Sequence, residues 1–351
     1  MNSEIIISGR KIGAAYPPYI IAEMSANHNG KIQSALKIIE EAKRVGADAI
    51  KMQTYTPDTL TLKSSLPDFQ ITEGIWSGYT LYDLYKWAHT PWSWHKPLFE
   101  YARQLDITIF SSPFDKTAVD LLEDLNAPAY KIASFEVIDL ELIRYVAKTG
   151  KPLIISTGMA DAYEIQEAID AAYSGGCKEL AILHCVSGYP APAGDYKLRT
   201  ISDMISRFGL VTGLSDHTLD NATAIASVAL GASIIEKHFT LDRSGGGPDD
   251  SFSLEPDDMK KLCRDSLTAW QALGPSGAVD YSRSSSEQGN IKFRRSLYFI
   301  RKLSAGTVIG PDDVRCVRPG FGLPPKYLDK IIGKKLRRDV ESATPVLEFD
   351  L

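Results

Sequence analysis

The chain has 351 residues, 44% of them hydrophobic and 24% charged, enough for one large core and a small second domain of ordinary globular composition. No run approaches the ~18–20 apolar residues that span a bilayer, and the opening MNSEIIISGRKIG lacks the apolar centre of a secretory signal, so a cytoplasmic protein with no membrane partner is expected. The net charge of −5 is uneven: residues 289–351 carry 13 Lys/Arg against 7 Asp/Glu, a balance of +6, and the preceding residues hold −11. A basic tail suits nucleic acid or an anionic small molecule. With no interleaved aromatic–basic motif, no nucleic-acid partner is expected. The four cysteines, Cys177, Cys185, Cys263 and Cys316, form no CxxC pair and are expected as reduced, mostly buried thiols.

In chain order, eight short apolar runs recur: YIIAEMS (19–25), AIKMQTY (49–55), ITIFSS (107–112), AYKIAS (129–134), LIISTG (153–158), LAILHC (180–185), LVTGLS (210–215) and SIIEKHF (233–239). Near-continuous apolar strands are what a parallel sheet buried on both faces requires. Between them, stretches such as SALKIIEEAKRVGA and DAYEIQEAIDAAYSGG have helical periodicity, and Gly46 and Gly231 mark helix ends. Eight β/α units in about 250 residues predict an α/β protein with a (β/α)8 TIM barrel over residues 1–273. The connection 54–91 is far longer than a usual βα loop and holds Tyr55, Phe69, Trp76, Tyr79, Tyr82, Tyr85 and Trp87. A lid over the site and an aromatic insert on the barrel rim both fit it. Residues 274–290, GPSGAVDYSRSSSEQGN, read as a linker, and 291–351 as a small β-rich domain with Gly/Pro turns.

Barrel active sites form at the C-terminal ends of strands. The runs end in Glu23 with Asn27 beyond, Lys51 and Gln53, Ser111 and Ser112, Lys131 with Ser134 and Glu136, Ser156, His184 with Ser187 and Tyr189, Ser215 with Asp216 and His217, and Glu236 with His238. Side chains alternate across a strand, so Lys51/Gln53, Ser215/His217 and Glu236/His238 each share one face, and Ile50 and Met52 face the helices. His217 and His238 end consecutive strands, spaced ~4.8 Å apart, close enough to share one metal ion with positions left for water and substrate. Imidazole donors favour manganese over magnesium. Lys51 and Lys131, with Ser134, Ser156 and Ser215, form a candidate phosphate and carboxylate cradle. A Schiff-base aldolase is the rival use of a barrel lysine.

At these residues the chain resembles the sialic acid synthase family, which makes nonulosonic acids. The resemblance covers essentially the whole length. It rests on IAEMSANHNG, GADAIKMQTY, FSSPFD, YKIASFE, STGM, GLSDHT and IEKHFTLD in the barrel. In the tail it rests on RRSLYFIRKLSAGTV, VRPGFGLPP and GKKLRRDV, similar to the family's antifreeze-protein-like (SAF) sugar-capping domain. LYDLYKWAHTPWSWH, IKMQTYTPDTLTL, FSLEP and VRPGFGLPPKY place it nearest the pseudaminic acid branch, and Ser187 stands where the neuraminate branch has Asn.

The resemblance implies a transferase that condenses phosphoenolpyruvate with an amino-sugar aldehyde and water and releases phosphate by C–O cleavage. In the pseudaminic branch the aldehyde is 2,4-diacetamido-2,4,6-trideoxy-altrose. Alternatives are an N-acetylneuraminate or legionaminate synthase, or a metal-dependent pyruvate aldolase. It implies a divalent cation, Mn2+ first with Mg2+ or Co2+ as alternatives, on His217 and His238. Phosphoenolpyruvate would meet Lys51, Ser112, Lys131, Ser134, Ser156, Ser187 and Ser215. Gln53, Tyr189, Asp249 and Arg318 would face the sugar, and Glu23, Glu136 and Asp249 would serve the chemistry. It further implies a domain-swapped homodimer in which the tail caps the partner's site.

Overall fold

The structure, a computed structural model, describes residues 4–274 and 279–351, in two compact units, residues 1–277 and 278–351. The linker expected over 274–290 lies partly outside the described residues, and its later part includes a short helix at Ser285–Gln288.

The first unit opens with an antiparallel hairpin, β1 (Ile5–Ile7) and β2 (Arg10–Ile12). Eight parallel strands follow: β3 (Tyr19–Glu23), β4 (Ala49–Thr54), β5 (Thr108–Pro113), β6 (Tyr130–Ile132), β7 (Leu153–Ser156), β8 (Leu180–Cys185), β9 (Val211–Asp216) and β10 (Ile234–His238). They pair in chain order, and β10 closes the ring on β3. This is the expected (β/α)8 barrel. The helices carry apolar stripes that cover the ring. In Ile32–Val45, for instance, Ala35, Ile38, Ile39 and Ala42 are buried, and the chain leaves through left-handed Gly46 at φ 93°.

Alternation sorts every strand into two faces. Ile20, Ala22, Ile50, Met52, Ile109, Ile132, Ile155, Ile182, Leu214 and Ile235 pack outward with the helices in the main core. Tyr19, Ile21, Ala49, Phe110, Ala129, Ile154, Ala181, Leu183, Val211 and Ile234 fill the inside, together with Ile5, Ile7 and Ile12 of the hairpin. The hairpin therefore plugs the N-terminal floor of the barrel. Gly213 is part of this inner layer: a Cβ there would lie 2.4 Å from the Ile234 carbonyl oxygen.

The insert 54–91 is ordered by helices at Pro57–Leu60 and Leu81–Ala88 and a bridge between Gln70 and Thr80. The second unit has one antiparallel pair, β11 (Ser296–Phe299) and β12 (Val314–Val317). Short bridges complete it around a small core of Leu297, Phe299, Ile309, Ile331, Leu336 and Val346.

Candidate active site

Continuing each inner face past its apolar layer brings polar side chains to the C-terminal mouth. Register sets Glu23 beside both Lys51 and His238, Gln53 beside Ser112, and Ser215 beside Glu236. Lys51 Nζ lies 2.9 Å from Glu23 Oε2 and 3.3 Å from Glu236 Oε1, and Lys131 Nζ lies 3.8 Å from that same Glu236 oxygen. Two ammoniums and two carboxylates thus offset one another where either sign alone would be costly. Hydroxyls complete the cradle: Lys51 donates to Ser112 Oγ at 3.3 Å, Lys131 to Ser156 Oγ at 2.6 Å, and Ser215 to Glu236 at 3.1 Å.

Electrostatics distinguish the four ions. Burial pushes Glu23 up to about 7 against the pull of Lys51. Burial also works to raise Glu236, but Lys131 and Lys51 outweigh it and hold it low. For Lys51, burial lowers the ammonium, while Glu23 and Glu236 more than reverse that. Lys131 is carried by burial down to about 8.

Beside this cradle Gly158 makes the turn after β7. A Cβ there would meet Ser187 Oγ at 2.3 Å and Ser134 Oγ at 2.8 Å, so glycine lets the two hydroxyls converge. Ser134 accepts from the Gly158 N–H at 3.1 Å, and among the described residues the buried Ser187 Oγ has no partner. Glu136, on the turn at Ser134–Glu136, is pushed by burial up to about 7, and one of its buried oxygens has no partner among the described residues.

The two histidines meet on the other side, with ring centroids 5.5 Å apart. His217 Nδ1 lies 2.8 Å from the Val186 carbonyl oxygen, which can only accept, so Nδ1 carries the proton and Nε2 presents its lone pair. Burial takes His217 down to about 4, and burial together with His217 holds His238 well below its ordinary value. Among the described residues the buried His238 Nδ1 has no hydrogen-bond partner. Neutral imidazoles with free lone pairs suit a divalent cation. Among the described residues no cluster of three or more His, Cys, Asp or Glu is grouped for metal binding, so the protein offers this site a pair. Asp249 Oδ2 is 3.9 Å from His238 Nδ1, and burial pushes its carboxyl up to about 6. The Tyr189 ring lies against His217, centroids 4.4 Å apart and tilted by 35°.

Thirteen of the sequence-selected residues therefore gather at one mouth: Glu23, Lys51, Gln53, Ser112, Lys131, Ser134, Ser156, Ser187, Tyr189, Ser215, His217, His238 and Asp249. Glu136 stands at its edge on the Ser134 turn. Arg318 is in the second unit, exposed, lining a hollow with Tyr298, Arg315 and Ser342.

Three strand-end residues face the other way. Ser111 bonds the Met52 carbonyl and Thr54, His184 meets the Tyr196 carbonyl, and Asp216 pairs with buried Lys237 at 2.8 Å. Alternation requires this, because their neighbours Ser112, Cys185 and His217 point inward.

Sequence reasoning gave no role to three participants. Glu236 is the hub between both lysines. Phe252 packs 5.0 Å from the His238 ring. Trp76, from the long insert, lies 5.6 Å from Tyr189 and 6.5 Å from Phe252, with its indole N–H donating to the Pro248 carbonyl at 2.9 Å. The insert thus reaches the mouth. Its aromatic content was a signal, but which ring points inward was not.

The NeuB family model matches residues 38–277 and the SAF domain model residues 294–351. The chain is 42% identical to a pseudaminic acid synthase of Campylobacter jejuni, over 95% of this chain and 96% of that one. It is 36% identical to an N,N'-diacetyllegionaminic acid synthase of Legionella pneumophila, over 99% and 98%. Among solved structures, the N-acetylneuraminic acid synthetase of Leptospira borgpetersenii in complex with citrate aligns with a TM-score of 0.73 at 31% identity, covering 82% of this chain and 95% of that one. A polar barrel mouth built from all eight strands, matched over nearly the full length by these synthases, makes this chain an enzyme of the NeuB family with a C-terminal SAF domain.

Proposed function

We propose that the chain is a pseudaminic acid synthase. It joins phosphoenolpyruvate to 2,4-diacetamido-2,4,6-trideoxy-altrose and water and releases phosphate. The observation that carries this is the convergence of two buried lysines and a ring of serine hydroxyls directly beside two apposed neutral imidazoles. The sugar is chosen from the 42% identity to the Campylobacter jejuni enzyme.

In this reading Lys51 and Lys131 hold the phosphate and carboxylate of phosphoenolpyruvate, and Ser112, Ser134, Ser156, Ser187 and Ser215 donate to their oxygens. Gln53, Tyr189 and Asp249 face the sugar. His217 and His238 would hold a divalent cation, Mn2+ in first place and Mg2+ or Co2+ as alternatives. When bound, that cation supplies Lewis-acid polarisation of the aldehyde oxygen. The cradle fixes the vinyl carbon against the aldehyde carbon, where the C–C bond forms. Glu23 and Glu136, each held near neutrality, would orient the attacking water and take its proton. Phosphate then leaves with C–O cleavage and the 2-keto acid cyclises. The exposed Arg318 would cap the sugar of the partner subunit in a domain-swapped homodimer.

The test is phosphate release from phosphoenolpyruvate against a panel of amino-sugar aldehydes. The highest kcat/KM is expected with the trideoxy-altrose. A preference for N-acetylmannosamine or the legionaminate precursor reassigns the sugar. Turnover of pyruvate without phosphate makes the chain an aldolase.

A further inference from the structure

Ser25 follows β3 with left-handed backbone, φ 43°, although it is buried and carries a side chain. Glycine adopts that conformation freely, whereas a Cβ raises its free energy. The backbone alone favours glycine there, so the hydroxyl is the feature to explain.

The hydroxyl has two partners. Ser25 Oγ donates to Asp249 Oδ2 at 2.5 Å and accepts from Gln53 Nε2 at 2.9 Å. Gln53 Nε2 also donates to Glu23 Oε1 at 3.1 Å. Both N–H groups of the Gln53 amide are thereby used, and its carbonyl oxygen is the one group that can serve a ligand. A carbonyl accepts only, so its ligand must donate.

We propose that Ser25 is a positioning residue for the sugar substrate: its hydroxyl ties Asp249 to Gln53 and sets the Gln53 carbonyl as the acceptor for a hydroxyl or amide N–H of the sugar aldehyde. This rests on the synthase reading above. Without the hydroxyl the Gln53 amide is held at one point and can turn over, and buried Asp249 loses a donor. The phosphoenolpyruvate side depends on Lys51, Lys131 and the serines around them, none of which bonds Ser25.

Two variants of the full chain separate backbone from hydroxyl. Ser25→Gly deletes the hydroxyl and relaxes the backbone. Ser25→Thr keeps the hydroxyl and places a β-branched side chain on left-handed backbone. Phosphate release is measured with each substrate varied at saturation of the other, and thermal unfolding is recorded alongside. For Ser25→Gly the relaxed backbone and the lost hydrogen bonds act on the melting temperature in opposite senses, while the KM for the sugar aldehyde should rise about tenfold or more and the KM for phosphoenolpyruvate should not change. For Ser25→Thr the melting temperature should fall while the sugar KM stays near wild type. The sugar KM then follows the presence of the hydroxyl and not the melting temperature, which a residue that only fills space cannot produce. If Ser25→Thr fails to fold, the glycine variant decides alone. An active wild type with a Ser25→Gly variant whose sugar KM and kcat lie within about twofold of it overturns the inference. So does an equal rise in both Michaelis constants. A wild type that releases no phosphate with any amino-sugar aldehyde brings down the synthase reading, and this inference with it.

Discussion

The floor and the mouth of the barrel are built from the same strands with opposite chemistry. Along β3 the inward residues run Tyr19, Ile21, Glu23; along β4, Ala49, Lys51, Gln53; along β10, Ile234, Glu236, His238. The lower layers join the hairpin isoleucines in an apolar plug. The upper layer holds two ammoniums, two carboxylates and two imidazoles, all buried. The floor earns stability that the mouth gives back, because buried ions and unpaired polar atoms such as those of Ser187, Glu136 and His238 cost free energy wherever they sit. Moving two residues along a strand changes a side chain's task from packing to chemistry.

The mouth is most sensitive at the histidines. His238→Ala should abolish synthase activity while the apolar floor keeps the fold, and Arg318→Ala should disable the cap. If the second unit caps the partner's site as proposed, mixing the two inactive proteins under subunit exchange should restore activity, since a mixed dimer would hold one site with both halves intact. Mixtures that stay inactive would place the cap in cis.

A floor substitution should show the reverse. Phe110 is fully buried in the plug, so Phe110→Ala should lower the unfolding free energy by about 3–5 kcal/mol in a denaturant titration. The folded fraction should keep its sugar and phosphoenolpyruvate Michaelis constants. Altered constants would show that the floor also shapes the site.

Between these extremes, Lys51→Ala and Lys131→Ala should each weaken phosphoenolpyruvate binding by ~2–5 kcal/mol, because each removes a buried cation that would pair with the ligand's anionic groups. Titration by calorimetry or fluorescence reads this directly, and unchanged affinity in both variants defeats the cradle.

The smallest effect belongs to neither region. His28 and His95 are buried beneath the insert, bonded to Thr90 and Thr54, and burial lowers each to about 4. The unfolded chain takes up these protons near pH 6.5, and the folded chain only near 4. Their stability is therefore complete above about pH 6.5 and lost as pH falls toward 4, about 2 kcal/mol per imidazole by pH 5. Glu23, Glu136 and Asp249, held high, act in the opposite sense. The histidine contribution is isolated by comparing wild type with His28→Gln in urea at pH 7.5 and pH 5. The variant should lose less stability on acidification, and identical losses would refute the assignment.

Much of this was legible in the chain. The eight apolar runs mark the strands because a parallel sheet covered on both faces leaves little room for polar residues. The pairs Lys51/Gln53, Ser215/His217 and Glu236/His238 declare their shared face because the strand period is two. Strand-end serines were harder: the apolar run offered both Ser111 and Ser112, the family resemblance named Ser112, and the register sets Ser112 beside Gln53. Asp216 looked like a companion to His217, yet it serves Lys237 on the outer face.

The barrel, its mouth and the residue types that meet there could be read from the chain alone, since alternation and apolar length are local properties. What the tertiary structure decided is every contact made across the ring or from outside it: the Glu236 hub, the chain from Glu23 through Gln53 and Ser25 to Asp249, the hairpin plug, and Trp76 bonded to the Pro248 carbonyl. Those partners lie far apart along the chain, and only ring closure brings them within hydrogen-bond reach.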